Sequence, residues 1–212
     1  MEQSYTHQEI LDLDRVFRLN LINSVTGFKP AVLIATKSRD GQENVAIFSS
    51  VVHLGSTPPL IGFIMRPTTV PRQTLEYILD TKYYTINQVQ ESFIEQAHYT
   101  SAKFEEHESE FERCNLKASY KDGFHAPYVE ASQLKMGLKL EQTIDIALNG
   151  TILVIGSIQH LYVEDSCLQS NGRLRLDKLG TVAIGGLNKY NRVEEIAEFP
   201  YARVHELPDF NL

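Results

Sequence analysis

Alternation is clearest late in the chain, where Leu134, Met136, Leu138 and Leu140 are interleaved with Lys135, Gly137 and Lys139. Period two marks a strand with one covered face, so a half-buried strand is expected there. Earlier, Ala31 to Lys37 is a branched apolar run that reads as a buried strand. Ser38-Arg39-Asp40-Gly41 supplies the turn into the next strand, and the two make a hairpin. From Asn44 to Pro67 the chain reads NVAIFSSVVHLGSTPPLIGFIMRP. Val45, Ile47, Val51 and Val52 suit one pleated run and Leu60, Ile61, Phe63 and Ile64 another, around a Ser-rich bend and a Pro-Pro step.

After Arg66-Pro67 the period changes. Leu75, Ile78 and Leu79 recur at helical spacing with Pro71 near the start, which predicts a helix from about Arg72 to Asp80. Lys82 to Val89 alternates as a strand, Glu91 to His98 reads as a short helix, and Phe104 to Arg113 reads as a charged surface helix or loop. Thr143 to Leu148 and Thr151 to Ser157 flank Asn149-Gly150, a short hairpin signal, with Leu161 to Val163 continuing the second arm. Ser166 to Lys178 is loop-like, and Gly180 to Tyr190 carries three glycines where the chain must turn or approach something closely. The first twenty residues have no clear period, with room for a short helix around Gln8 to Arg15. Six or seven strands and short helices make the fold class mainly β, an antiparallel barrel or sandwich.

Composition narrows the setting. A chain of 212 residues, 42% hydrophobic and 22% charged, is an ordinary globular protein, expected as one domain over residues 1–212 with N- and C-terminal extensions. The net charge of −7, with no basic run, argues against a nucleic-acid polymer as partner. The polar, acidic start lacks the features of a signal peptide, and no apolar run reaches the roughly 20 residues that span a bilayer. Cys114 and Cys167 stand far apart without a CxxC, so free thiols in a reducing cytoplasm are expected.

Familiar catalytic motifs are missing: the sequence holds no GxSxG, P-loop or HExxH. Glu105, Glu106, His107 and Glu108 are adjacent and cannot share one face, so no metal site is expected there. Arg66, Thr68, Thr69, Arg72 and Thr74 lie on the link from a buried strand to a helix start. Guanidinium groups, hydroxyls and helix amides could converge there on a phosphate. These residues alone leave a surface arginine and a threonine cap equally open.

The order Asn44-x-Ala46-x-Phe48-Ser49-Ser50, Pro58-Pro59-Leu60, Arg66-Pro67, Arg72-x-Thr74-Leu75 and Tyr84-x-Ile86-Asn87 resembles the flavin reductase-like family. Ala97-His98, Ser109-Glu110-Phe111, Ala126-Pro127 and the late Gly-Gly-Leu-Asn-Lys-Tyr extend the likeness to about residues 20–190. The resemblance implies a split β-barrel and a homodimer, with FMN bound near the interface and NAD(P)H as a possible co-substrate. By the same resemblance Ala46, Phe48, Ser49, Ser50 and Val51 would line the flavin ring, with Asn44 supporting the bend or the ring edge. Arg66, Thr69, Arg72 and Thr74 would hold the phosphate. His98 is a candidate to approach the flavin from the partner chain, with a capping or surface role as its alternative, and Tyr190 is expected to pack the barrel. Hydride transfer to a flavin needs stacked rings and a positioning scaffold, which fits a sequence without a nucleophile or paired carboxylates. An FMN-binding electron-transfer module without NAD(P)H activity is the alternative.

Overall fold

A computed structural model describes residues 2–69, 72–105 and 107–210. Two short helices open the chain, α1 (His7–Asp12) and α2 (Arg15–Ser24). Thr6 and Glu9 cap α1 reciprocally, and Asp14 accepts the amide protons of Val16 and Phe17. The short helix expected around Gln8 to Arg15 corresponds to α1, and Asp14 starts a second one, α2, that was not expected.

There follow β1 (Phe28–Pro30), β2 (Val32–Lys37), β3 (Glu43–Phe48), β4 (Val51–Ser56) and β5 (Pro59–Met65). Next come α3 (Gln73–Thr81), β6 (Tyr83–Gln88), a 3-10 turn at Glu91–Phe93, α4 (Ile94–Tyr99) and α5 (Glu110–Arg113). The short pair β7 (Ala118–Ser119) and β8 (Tyr128–Val129) precedes two long strands, β9 (Leu134–Ile146) and β10 (Thr151–Val163), and the final hairpin β11 (Val182–Gly185) and β12 (Lys189–Arg192).

Seven strands form one antiparallel sheet in the order β3-β2-β6-β9-β10-β5-β4. Its two outermost strands, β3 and β4, are consecutive in sequence and joined only by Ser49 and Ser50. Laid flat, the edges of seven strands would stand roughly 29 Å apart at about 4.8 Å per step. Two residues cannot span that, so the sheet rolls until its edges meet at the bend. There the Ile64 amide donates to the Ser50 carbonyl (3.2 Å) and the Ser50 hydroxyl to the Ile64 carbonyl (3.0 Å). Beyond that point β3 and β4 do not pair, and the barrel is split.

Rolling gives the sheet an inside and an outside. Val32, Ile34, Phe63, Met65, Tyr84, Ile86, Leu138 and Val154 fill the interior, which Leu75 and Ile78 of α3 plug. Leu33, Ala35 and Val45 face outward under Phe93, Ala97, Phe111, Val182 and Ile184. This is why β2 is apolar without alternation: both its faces are covered. Gly156 lets the barrel close, since a Cβ there would sit 2.2 Å from the Tyr84 hydroxyl and 2.9 Å from the Lys139 carbonyl.

Three expectations are corrected. The two strands read at residues 134–140 and 143–148 are one, β9, kept in register with β10 by irregularities near Ile155 and Ile158. Asn149 and Gly150 belong to a four-residue loop, in which both amides donate to the Ile146 carbonyl. Among the described residues of the charged stretch 104–113 only α5 is helical, and it is surface on one side alone: Glu112 and Arg113 are exposed, whereas Glu110 and Phe111 are buried. Pro71 and Glu106, which the sequence reading also used, lie outside the described residues. Among those described, no helix is long and apolar enough to cross a membrane.

Candidate functional site

β3 is an edge strand, so one of its sides lacks a strand partner. The Val45 amide points to that side, donating to Glu110 Oε2 (3.3 Å), and strand alternation puts the Ile47 amide on the same side two residues on. Side chains alternate as well: Phe48 packs edge-on against Phe63 at 5.3 Å inside the barrel, and Val51 packs against the same cluster. Phe48 and Val51 therefore hold the bend from within. Ala46 lies on the same face of β3 as Phe48, opposite Ile34, and like Ser49 it is half-buried, so the open edge of the bend is mainly backbone.

The phosphate candidates stand on the link from β5 to α3. Arg66 and Thr69 are exposed, and among the described residues Arg66 makes no ion pair. Arg72, half-buried at the start of α3, folds its guanidinium back onto the Pro67 carbonyl (Nε and Nη2, both 3.3 Å) while its amide donates to Glu76 Oε1 (3.1 Å). Thr74 differs from these. Its hydroxyl is buried and donates to Asn44 Oδ1 at 2.8 Å, so its proton is spent inside the protein and its own contribution outward is the helix-start backbone.

Two bridges thus tie the bend to this link. Ser50 bonds Ile64, two residues before Arg66, and Asn44 bonds Thr74, two residues after Arg72. Asn44 is 4% exposed and uses both ends of its amide: Oδ1 also accepts from Thr36 (3.4 Å) and Nδ2 donates to Glu110 Oε2 (3.0 Å). It braces the site from behind, its oxygen accepting twice and its nitrogen donating to Glu110. Burial pushes the Glu110 acid above the usual carboxylate range, against the bonds from its own amide, Val45 and Asn44, which pull it down.

His98 lies on α4, which packs against β3, but among the described residues its hydrogen bond and ring contacts go to Tyr99 and Tyr190 and not to the bend or the Arg66 link. Its Nδ1 lies 3.0 Å from the Tyr190 hydroxyl, in a cleft of about 570 Å³ lined by Glu91, Glu95, Tyr99 and Asn188 among others, none of them from the bend or the Arg66 link. Tyr190 packs against the outer core, and burial raises its phenol above the ordinary value. Glu108, from the acidic run, pairs with Arg113 at 3.2 Å.

The sequence placed Glu110 in the Ser109-Glu110-Phe111 likeness to the family but gave it no role, and the run FEEHESEFER around it read as a charged surface helix or loop. The signal available was its neighbour: Phe104 and Phe111 are the apolar residues of that run, and both pack against the core.

The model of the flavin reductase like domain matches residues 28–175, which covers β1 through β10. Among solved structures, a candidate flavin reductase with a split barrel domain from Shewanella frigidimarina is 45% identical, with a TM-score of 0.92 over 95% of this chain and 100% of that one. Nitrilotriacetate monooxygenase component B from Bacillus cereus shares the fold at 20% identity, with a TM-score of 0.82 over 94% of this chain and 99% of that one. Flavoredoxin of Desulfovibrio vulgaris does so at 24% identity, with a TM-score of 0.72 over 83% and 92%. With its rolled sheet split between β3 and β4 and the family's domain spanning most of its length, the chain belongs to the flavin reductase-like family.

Proposed function

We propose that this chain binds FMN between the Ser49-Ser50 bend and the Arg66 to Thr74 link, and works as an oxidoreductase that takes hydride from NAD(P)H. The observation that carries the reading is the pair of bridges, Ser50 to Ile64 and Asn44 to Thr74, which hold a backbone-rich, uncharged surface beside a pair of arginines. That donor set suits a flat ring at one end and a phosphate at the other. Bound FMN would supply the hydride-accepting ring, which makes a protein nucleophile unnecessary.

The residues of this chain bind and orient. Arg66, Thr69 and Arg72 hold the phosphate, with the start of α3 adding backbone amides and a favourable dipole. The backbone at Ala46 to Ser50, with the Ile47 amide on the open edge, faces the ring, and Phe48 and Val51 fix the bend from inside. Within one chain His98 is held on Tyr190, and we assign its part at the flavin to a second copy, as the family resemblance implies.

We read the chain as one domain acting as a homodimer in the cytoplasm. Ile196, Phe199 and Tyr201 are 97%, 79% and 84% exposed in a single chain, which supports a partner, and Cys114 and Cys167 are free, which suits a reducing compartment.

Following NADH and NADPH absorbance with FMN added tests the reaction. Flavin-dependent oxidation of either nucleotide is expected. Tight FMN binding without oxidation of either would make the chain an electron-transfer or partner module.

A further inference from the structure

Glu110 is a buried carboxylate that the proposed chemistry does not use. It is 8% exposed, and burying such a group is costly unless something fixes it. No cation answers it among the described residues: on its own short helix Arg113 pairs with Glu108, and the nearby Cys114 thiol is pushed up by burial and by the charge of Glu110. Its partners beyond α5 are two donors from β3, Asn44 Nδ2 at 3.0 Å and the Val45 amide at 3.3 Å, both on the single oxygen Oε2.

That arrangement decides which way Asn44 faces. The terminal torsion of an asparagine is soft, and its two ends differ little in shape. An ionised carboxylate only accepts hydrogen bonds, so it draws Nδ2 towards α5 and turns Oδ1 to Thr74 and Thr36. The result is a line of contacts from α5 through β3 to the start of α3.

We propose that Glu110 is a positioning residue of the flavin site: by orienting Asn44 it fixes Thr74, and with it the phosphate half of the site relative to the ring half. The proposal rests on reading this region as an FMN site. It also extends that reading, since it assigns work to a side chain that touches neither ring nor phosphate.

Affinities for FMN and riboflavin in E110A, E110Q, T74V and the E110A/T74V double variant test it. E110A should weaken FMN about tenfold, the worth of roughly one charge-assisted hydrogen bond, and riboflavin much less. E110Q should restore most of the loss, because one amide oxygen can accept both donors. E110A and T74V lie on one line, so their losses should not add. Equal losses for the two flavins, failure of E110Q to rescue, or additive losses would overturn the proposal.

Amide hydrogen exchange of the flavin-free protein gives a second readout. Exchange in the first turn of α3 should quicken in E110A and return to the original rate in E110Q. Unchanged exchange there would overturn the coupling. Should the chain take up no flavin, the FMN reading fails while exchange still decides the link. Glu110→Met keeps the volume without the acceptor and replaces E110A if that variant does not fold.

Discussion

Asn44 and Arg66 face the same candidate site from opposite conditions. Asn44 is buried, with both ends of its amide in use by residues from α3, α5 and β2. Arg66 stands in solvent without an ion pair among the described residues, as does Thr69. A side chain already committed inside the protein can shape a site but has little left to give a ligand. An exposed one can give everything to a ligand and contributes little to the fold. The difference separates residues whose loss should appear in stability from residues whose loss should appear in affinity.

The largest expected effect lies deepest on the committed side. Gly156→Val would drive a side chain against the Tyr84 ring and the Lys139 backbone. We expect a loss of about 3 kcal/mol or no folded protein, read by chemical denaturation. A variant as stable as the parent would mean that the closed part of the barrel tolerates what its packing forbids.

Asn44→Ala follows. It leaves the Thr74 hydroxyl and the Val45-Glu110 pair short of a partner, and should cost about 1–3 kcal/mol of stability. Affinity for FMN should fall with it. A loss of affinity at unchanged stability would place Asn44 with the exposed residues and erase the contrast.

Arg66→Ala should do the opposite. Unfolding should move by less than about 0.5 kcal/mol, whereas FMN binding should weaken by about 1.5–3 kcal/mol through loss of a charge-assisted contact to phosphate. Riboflavin, which lacks the phosphate, should bind the variant and the parent alike.

The smallest effect concerns pH. Burial holds the Glu110 acid above its ordinary value, so the folded state binds that proton more tightly than the unfolded chain does. Its contribution to stability is complete below the unfolded value and is lost as pH rises through the folded one. Relative to Glu110→Gln, the parent should therefore lose stability as pH rises above the ordinary carboxylate range. A gap that stays constant with pH would mean the acid is not shifted by burial.

How much of this the sequence revealed follows the same division. The β2–β3 hairpin, α3 and β6 were legible because each is set by local period and turn residues, and the exposed arginines announce themselves by residue type. Glu110 was not legible. Its place depends on Asn44, 66 positions earlier, and the one local hint is the neighbouring Phe111, which packs against the core. The family resemblance carried the split barrel and named Asn44 as a support of the bend, but it gave Glu110 no part. Thr74 shows the limit well: expected at the phosphate, it sends its hydroxyl inward to Asn44.

The account stands most directly on the contact between this chain and FMN. Calorimetric titration of the purified chain with FMN and with riboflavin should give one FMN per chain, bound at least about tenfold more tightly than riboflavin, the worth of roughly one charge-assisted contact to the phosphate. Binding of neither flavin, or equal binding of both, would contradict a site built from the Ser49-Ser50 bend and the Arg66 to Thr74 link.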